Sequence, residues 1–146
     1  MNESQTPSKP EPNTERFKPS RVRVVTDPRK IEKLLDVQGG IRGHSTPPAL
    51  LVVTTDIRNF VGANERNQVY VDGGLYAMSL LLALEHVGLA ACPLNTMFSP
   101  TRDRQMRKLT ASDHEAFILF ISVGNFRDQV ASPKSFRYEG TDVTLT

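Results

Sequence analysis

The feature that most narrows what this chain can fold into is the run Ala49-Leu50-Leu51-Val52-Val53-Thr54-Thr55, whose first five residues are apolar without a break. A half-exposed strand alternates apolar and polar residues, whereas one that is apolar at every position is covered on both faces. Residues 49–55 therefore predict a central strand of a sheet with material packed above and below it. A second apolar run over residues 116–123, followed by Gly124, predicts another buried strand. A chain of 146 residues with 38% apolar content fills one modest core and leaves no room for a second independent domain.

Helical patterns separate these strands. Val22, Val24 and Val25 with Arg21 and Arg23 read as a short strand ending at Thr26. Asp27 is a good N-cap and Pro28 fits a first helical turn, which needs no amide donor. Ile31, Leu34 and Leu35 then form one apolar face before Gly39 and Gly40 stop the helix. Residues 39–48 read as a loop. After the polar stretch Asn64, Glu65, Arg66 and Asn67, Asp72 is the expected N-cap of a long helix reaching about Val87, with Gly88 as its stop. The apolar stretch 75–84 contains Ser79 and is closed by Glu85 and His86, so it falls short of the roughly 20 residues that span a bilayer. Leu75, Met78, Leu80, Leu81, Leu82 and Leu84 occupy more than one face of that helix, so a subunit interface is expected to cover what the core does not. Ser99 and Pro100 start a further helix carrying Met106 and Leu109. Residues 1–19 are rich in Pro, Ser, Thr, Glu and Lys and are expected to be a disordered tail. At the other end, Val143, Thr144 and Leu145 are suited to an edge strand or to reaching a partner chain. The fold class is thus α/β or α+β, in layers, with helices covering a sheet over residues 20–146.

Charge and motif content exclude several functions. The net charge of +2 arises from 18 basic and 16 acidic residues without a basic stripe, so no nucleic-acid partner is expected. The single cysteine, Cys92, has no disulfide or CxxC partner, and the chain opens without a secretory apolar segment, which suits a cytoplasmic protein away from membranes. His44, His86 and His114 do not converge on a metal by spacing, and Cys92 reads as a buried small apolar residue, so no metal is expected. Neither a Gly-x-Ser-x-Gly elbow nor a Gly-x-x-x-x-Gly-Lys loop is present, and Gly73-Gly74 is not a dinucleotide fingerprint.

What remains is a cofactor-binding pattern. A long apolar helix leads into Val87-Gly88-Leu89-Ala90-Ala91-Cys92-Pro93-Leu94-Asn95, then a helix, then Phe117-Ile118-Leu119-Phe120-Ile121-Ser122-Val123-Gly124, and later Lys134-Ser135-Phe136-Arg137. Together with Arg21-Val22-Arg23-Val24-Val25-Thr26-Asp27-Pro28, Gly39-Gly40-Ile41-Arg42-Gly43 and the entry Tyr70-Val71-Asp72-Gly73-Gly74-Leu75, this order resembles the nitroreductase family from about Ser20 onward. The resemblance implies a three-layer α-β-α domain with a mixed sheet. It also implies a homodimer that binds FMN between subunits and passes hydride from NADH or NADPH to a nitro compound, quinone or similar small acceptor. The preceding family segment, with an Arg-x-Ser-x-Arg cluster for the FMN phosphate, is expected to be missing. Ser20-Arg21-Val22-Arg23 mimics it only at the entry to a strand.

Backbone donors at Leu94, Asn95 and Thr96 would stabilise an anionic reduced flavin ring, and Arg137 and Ser135 would hold the phosphate, the guanidinium through its planar fork. Arg42, in its glycine-flanked turn, would approach the flavin or nicotinamide phosphate. Beside these stand plainer readings: Arg137 and Arg42 as solvated surface arginines, Asn95 as a turn residue. No residue is assigned a catalytic role. The alternative to an enzyme is an inactive, truncated remnant or a binding module that keeps the fold.

Overall fold

The computed structural model describes residues 19–40, 45–60 and 62–128. The polar tail expected over residues 1–19 lies outside them except for Pro19, and so does the terminal element expected over residues 130–146. In chain order the elements are β1 (Ser20–Val25), α1 (Pro28–Gln38), β2 (Ala49–Asp56), α2 (Gln68–His86), β3 (Leu89–Leu94), α3 (Pro100–Thr110) and β4 (Glu115–Asn125). Local chemistry sets most of the boundaries. The Asp27 carboxylate accepts from the Arg29 N–H, Pro28 opens α1, and Gly39, at φ 77°, closes it by donating its N–H to Leu35 O. The Ser99 hydroxyl accepts from the Arg102 N–H at the start of α3. β4 continues one residue past Gly124, which pairs with Ala90 rather than ending the strand.

The sheet order is β1-β2-β4-β3. β2 is buried along nearly its whole length, as its unbroken apolar run requires. Leu50 and Val52 pack with Ile31 and Leu34 of α1 and Met106 of α3 on one face. Leu51 and Val53 pack with Ala77 of α2 on the other. The expected three layers are therefore present: α1 and α3, the sheet, and α2. All three strand pairings are antiparallel, so the mixed pairing implied by the resemblance does not occur among the described residues.

The register of β2 on β4 shifts between Val53 and Thr54, where the partners jump from Leu119 to Phe117. Ile118 is the extra residue of a bulge, and it changes which side chains share a face. Phe117 and Phe120 join the α1/α3 core, while Ile118, Leu119, Ile121 and Val123 all pack on the α2 side.

Helix α2 begins at Gln68, one turn before the expected cap. Arg66, at φ 50°, makes the turn that precedes it, and Asp72 lies inside the helix accepting from Gln68 Nε2 at 2.6 Å. Its buried positions are small, Gly73 and Ala77, which lets the helix axis approach the sheet closely. A Cβ added to Gly73 would lie 2.5 Å from the Ile118 side chain and 2.6 Å from Thr55 Oγ1. The opposite side carries Val71, Leu75, Met78 and Leu82 at helical spacing, and Leu75 and Leu82 are 66% and 60% exposed in the single chain.

Candidate functional site

The loop that follows β3 is held from three sides. Leu94 is buried in the α1/α3 core and pairs with Phe120, which fixes the start of the loop. Gln38, buried at the end of α1, donates from Nε2 to Asn95 O at 3.1 Å, while its Oε1 accepts the Gly40 N–H at 2.6 Å. One side chain thus ties the turn after α1 to the loop after β3. The Thr96 hydroxyl donates toward the carbonyls of the β4 bulge, Ile118 O at 3.0 Å and Phe117 O at 3.3 Å. Phe98 closes the loop, its ring edge-on to Phe117 at 5.9 Å. The Asn95 carboxamide accepts the Met97 N–H at 3.2 Å, making the turn that a plain reading of Asn95 anticipates. Among the described residues, the backbone N–H groups of Asn95 and Thr96 have no acceptor. Two fixed, free donors therefore stand next to each other on this loop.

Of the residues expected at a cofactor, Leu94, Asn95 and Thr96 lie at the end of β3 and on the loop that follows it. Arg42, Ser135 and Arg137 lie outside the described residues. Cys92 is exposed rather than buried, because among the described strands β3 lies at the edge of the sheet and Cys92 lines a cavity. Sequence reasoning missed Gln38. Its signal was available, since it follows Ile31 and Leu34 on one helix face, and a polar residue on a buried face requires partners.

Two cavities flank the loop. The first, about 530 Å³, is bounded by Gly40, Pro47 and Pro48 on one side and by Ala91, Cys92 and Leu94 of β3 on the other. Its remaining wall includes the hydroxyls of Ser45 and Ser122, and among the described residues Arg127 is its one charged lining residue. The second, about 560 Å³, lies between Tyr70, Phe98 and Phe117 and contains Asp103, Arg107 and Glu115. There the cation is already used. Arg107 Nε donates to Asp103 Oδ2 at 2.6 Å, its Nη1 donates to Glu115 O at 2.7 Å and Ser112 O at 2.8 Å, and its guanidinium stands 5.4 Å from the Phe117 ring centre.

The other buried charges also satisfy one another. Arg21 Nη2 donates to Asp56 Oδ2 at 2.9 Å, Arg23 Nη2 to Glu115 Oε1 at 2.8 Å, and Arg58 Nε to Asp56 Oδ1 at 2.9 Å. The Arg58 hydrogen bonds, helped by its charge and that of Arg21, outweigh burial and hold Asp56 at a pKa of about 2. Burial pushes Glu115 upward, but hydrogen bonds from Arg23 and Thr54 and the charges of Arg23 and Arg21 bring it below the usual carboxylate range. Ser20-Arg21-Val22-Arg23 is thus strand, with both guanidiniums engaged by carboxylates. Among the described residues no cluster of His, Cys, Asp and Glu could hold a metal ion, and no helix is long and apolar enough to cross a membrane.

No protein-family model matches the chain, and no curated protein matches it. Solved structures do. A Parabacteroides distasonis protein with the provisional name NADH dehydrogenase/NAD(P)H nitroreductase is 24% identical, with 92% of this chain and 76% of that one covered at a TM-score of 0.71. An FMN-dependent nitroreductase from Clostridium difficile is 18% identical, with 90% and 75% covered at a TM-score of 0.60. A nitroreductase-like protein from Streptococcus mutans is 18% identical, with 89% and 78% covered at a TM-score of 0.70. The three-layer arrangement, the antiparallel sheet and the loop after β3 therefore belong to a chain with the nitroreductase-like fold.

Proposed function

We propose that this protein is an FMN-dependent oxidoreductase that takes hydride from NADH or NADPH and delivers it to a nitro compound, a quinone or a similar small acceptor. The observation that carries this reading is the pair of free backbone N–H groups at Asn95 and Thr96, on a loop braced by Gln38 and Thr96. Preorganised amide donors in a fixed loop favour a ligand atom that gains negative charge. Of this loop and its entry, Leu94 lines the first cavity and Thr96 the second; the first has a volume within the range of small-molecule sites, and its Pro, Ala and Cys walls can face a flat apolar ring. A bound flavin would supply the redox chemistry, and the chain's part would be to position and shield it. Leu94, Asn95 and Thr96 would meet the ring system, and Arg42, Ser135 and Arg137 are the candidate holders of phosphate.

The reading includes a homodimer. Val71, Leu75, Met78 and Leu82 form an apolar stripe on α2, and a second copy laying the same helix against it would remove that surface from water. Light scattering on a sizing column should give twice the chain mass, and Leu75→Glu with Met78→Glu should give a monomer; a monomeric wild type would reject the dimer. For the function, the purified protein is loaded with excess FMN, desalted, and its absorption spectrum recorded before NADH and NADPH oxidation are assayed. Near-stoichiometric retained flavin and acceptor-dependent oxidation are expected. A folded protein that releases all its flavin would instead be a remnant or a binding module with this fold.

A further inference from the structure

We infer that Arg127 is a further residue that receives the phosphate end of the ligand in the first cavity, beside the candidates Arg42, Ser135 and Arg137, an assignment that rests on the flavin reading above. The argument is one of charge. Arg21, Arg23, Arg58 and Arg107 each face a carboxylate, and all of those carboxylates are thereby engaged. Among the described residues Arg127 has no such partner, and none of those that line its cavity is a carboxylate. A cavity with small apolar walls, two hydroxyls and a single unneutralised guanidinium matches a ligand with a flat apolar body and one anionic end. The second cavity, whose cation is consumed by Asp103 and by carbonyls, does not.

Arg127 is exposed and follows a paired strand end: Gly124 and Asn125 pair with Ala90 and Leu89, and Arg127 stands two residues beyond them. Gly124 presents no side chain on that wall, and Ser122 lies on the same strand. A guanidinium gives paired, parallel donors to two phosphate oxygens, which an ammonium cannot.

The test compares FMN with riboflavin, which has the same ring system and lacks the phosphate. Dissociation constants of both are measured by flavin fluorescence quenching for the wild type, Arg127→Ala and Arg127→Lys, with circular dichroism confirming that each variant is folded. The wild type should prefer FMN, and that preference should weaken as salt rises. Arg127→Ala should weaken FMN binding roughly tenfold while riboflavin binding stays within about twofold, and Arg127→Lys should fall between. Equal loss for both flavins, or no loss, overturns the assignment and leaves the flavin reading intact. A wild type that binds neither flavin overturns that reading, and the assignment with it.

Discussion

Adjacent glycines in α2 should respond to the same substitution with opposite sign. In a helix interior, Gly→Ala is worth up to about 1 kcal/mol of stabilisation, because alanine has less backbone entropy to lose. At Gly74 a Cβ meets nothing within 4 Å, so Gly74→Ala should realise that gain. At Gly73 the same Cβ would lie 2.5 Å from Ile118 and 2.6 Å from Thr55 Oγ1. Ordinary carbon contacts fall at about 3.5–4.0 Å, so the overlap is about 1 Å on two sides. Ile118 can turn, but Thr55 is β-branched and fixed in a fully buried strand position, so the helix must lift. Overpacking of this kind costs about 1–3 kcal/mol, which outweighs the helical gain and leaves Gly73→Ala about 1–2 kcal/mol less stable than wild type. The two variants should then melt on the order of 10 °C apart. Thermal and urea unfolding at matched protein concentration would measure this. Because Thr55 Oγ1 has no hydrogen-bond partner, Thr55→Ala should cost little alone and should recover part of the Gly73→Ala loss. A Gly73→Ala protein as stable as wild type would refute the close approach of α2 to the sheet.

Acid should act on the buried charge network. Asp56 is lowered to about 2 in the folded chain, so its contribution is complete above an unfolded value of about 3.9 and is lost as pH falls toward 2. Arg58 and Arg21 are 60% and 48% exposed, so the full linkage of about 2.5 kcal/mol is reduced by solvent to about 1–2 kcal/mol. Urea unfolding of Asp56→Asn from about pH 5 to 2 should show a shallower loss than wild type, with the remainder due to Glu115; an unchanged slope would reject this account. Gln38→Leu keeps the volume of the brace but removes its bonds to Gly40 and Asn95. It should cost about 1–3 kcal/mol and speed amide exchange at Gly40, Met97 and Phe98, whose N–H groups are hydrogen-bonded, and protection equal to wild type would show that the loop is held without it.

The parts of the fold that were legible in sequence depend on neighbours within a turn of helix or a few residues of strand. Asp27, Pro28, Gly39 and Ser99 mark helix ends because a cap acts on amides two or three residues away. Residues 49–55 announced an inner strand because an uninterrupted apolar run has no solvent face to offer. The start of α2 was misplaced because Asp72 is a good cap by type, while the true boundary is set by the backbone turn at Arg66. Cys92 was misjudged for a different reason. Ala90-Ala91-Cys92 has core composition, but the sheet order puts β3 at an edge, and no local pattern reports strand order.

For the candidate site, the resemblance pointed to the loop at Leu94, Asn95 and Thr96, while Gln38 was missed because its role depends on what lies opposite it. Gln38 meets Asn95 only because α1 ends against the loop after β3, 57 positions later in the chain.

By itself, then, the sequence determined the layered fold class, most of the helix caps and the inner strand, all products of short-range periodicity and backbone hydrogen bonding. Only the tertiary structure decided which arginines are spent on Asp56, Asp103 and Glu115 and that, among the described residues, Arg127 stands beside a cavity without a carboxylate partner. It also decided that Gly73 must be glycine and that a bulge at Ile118 lets Phe117 and Phe120 share a face. Charge pairing and steric approach are settled between residues up to 94 positions apart, and only the folded topology brings them within range.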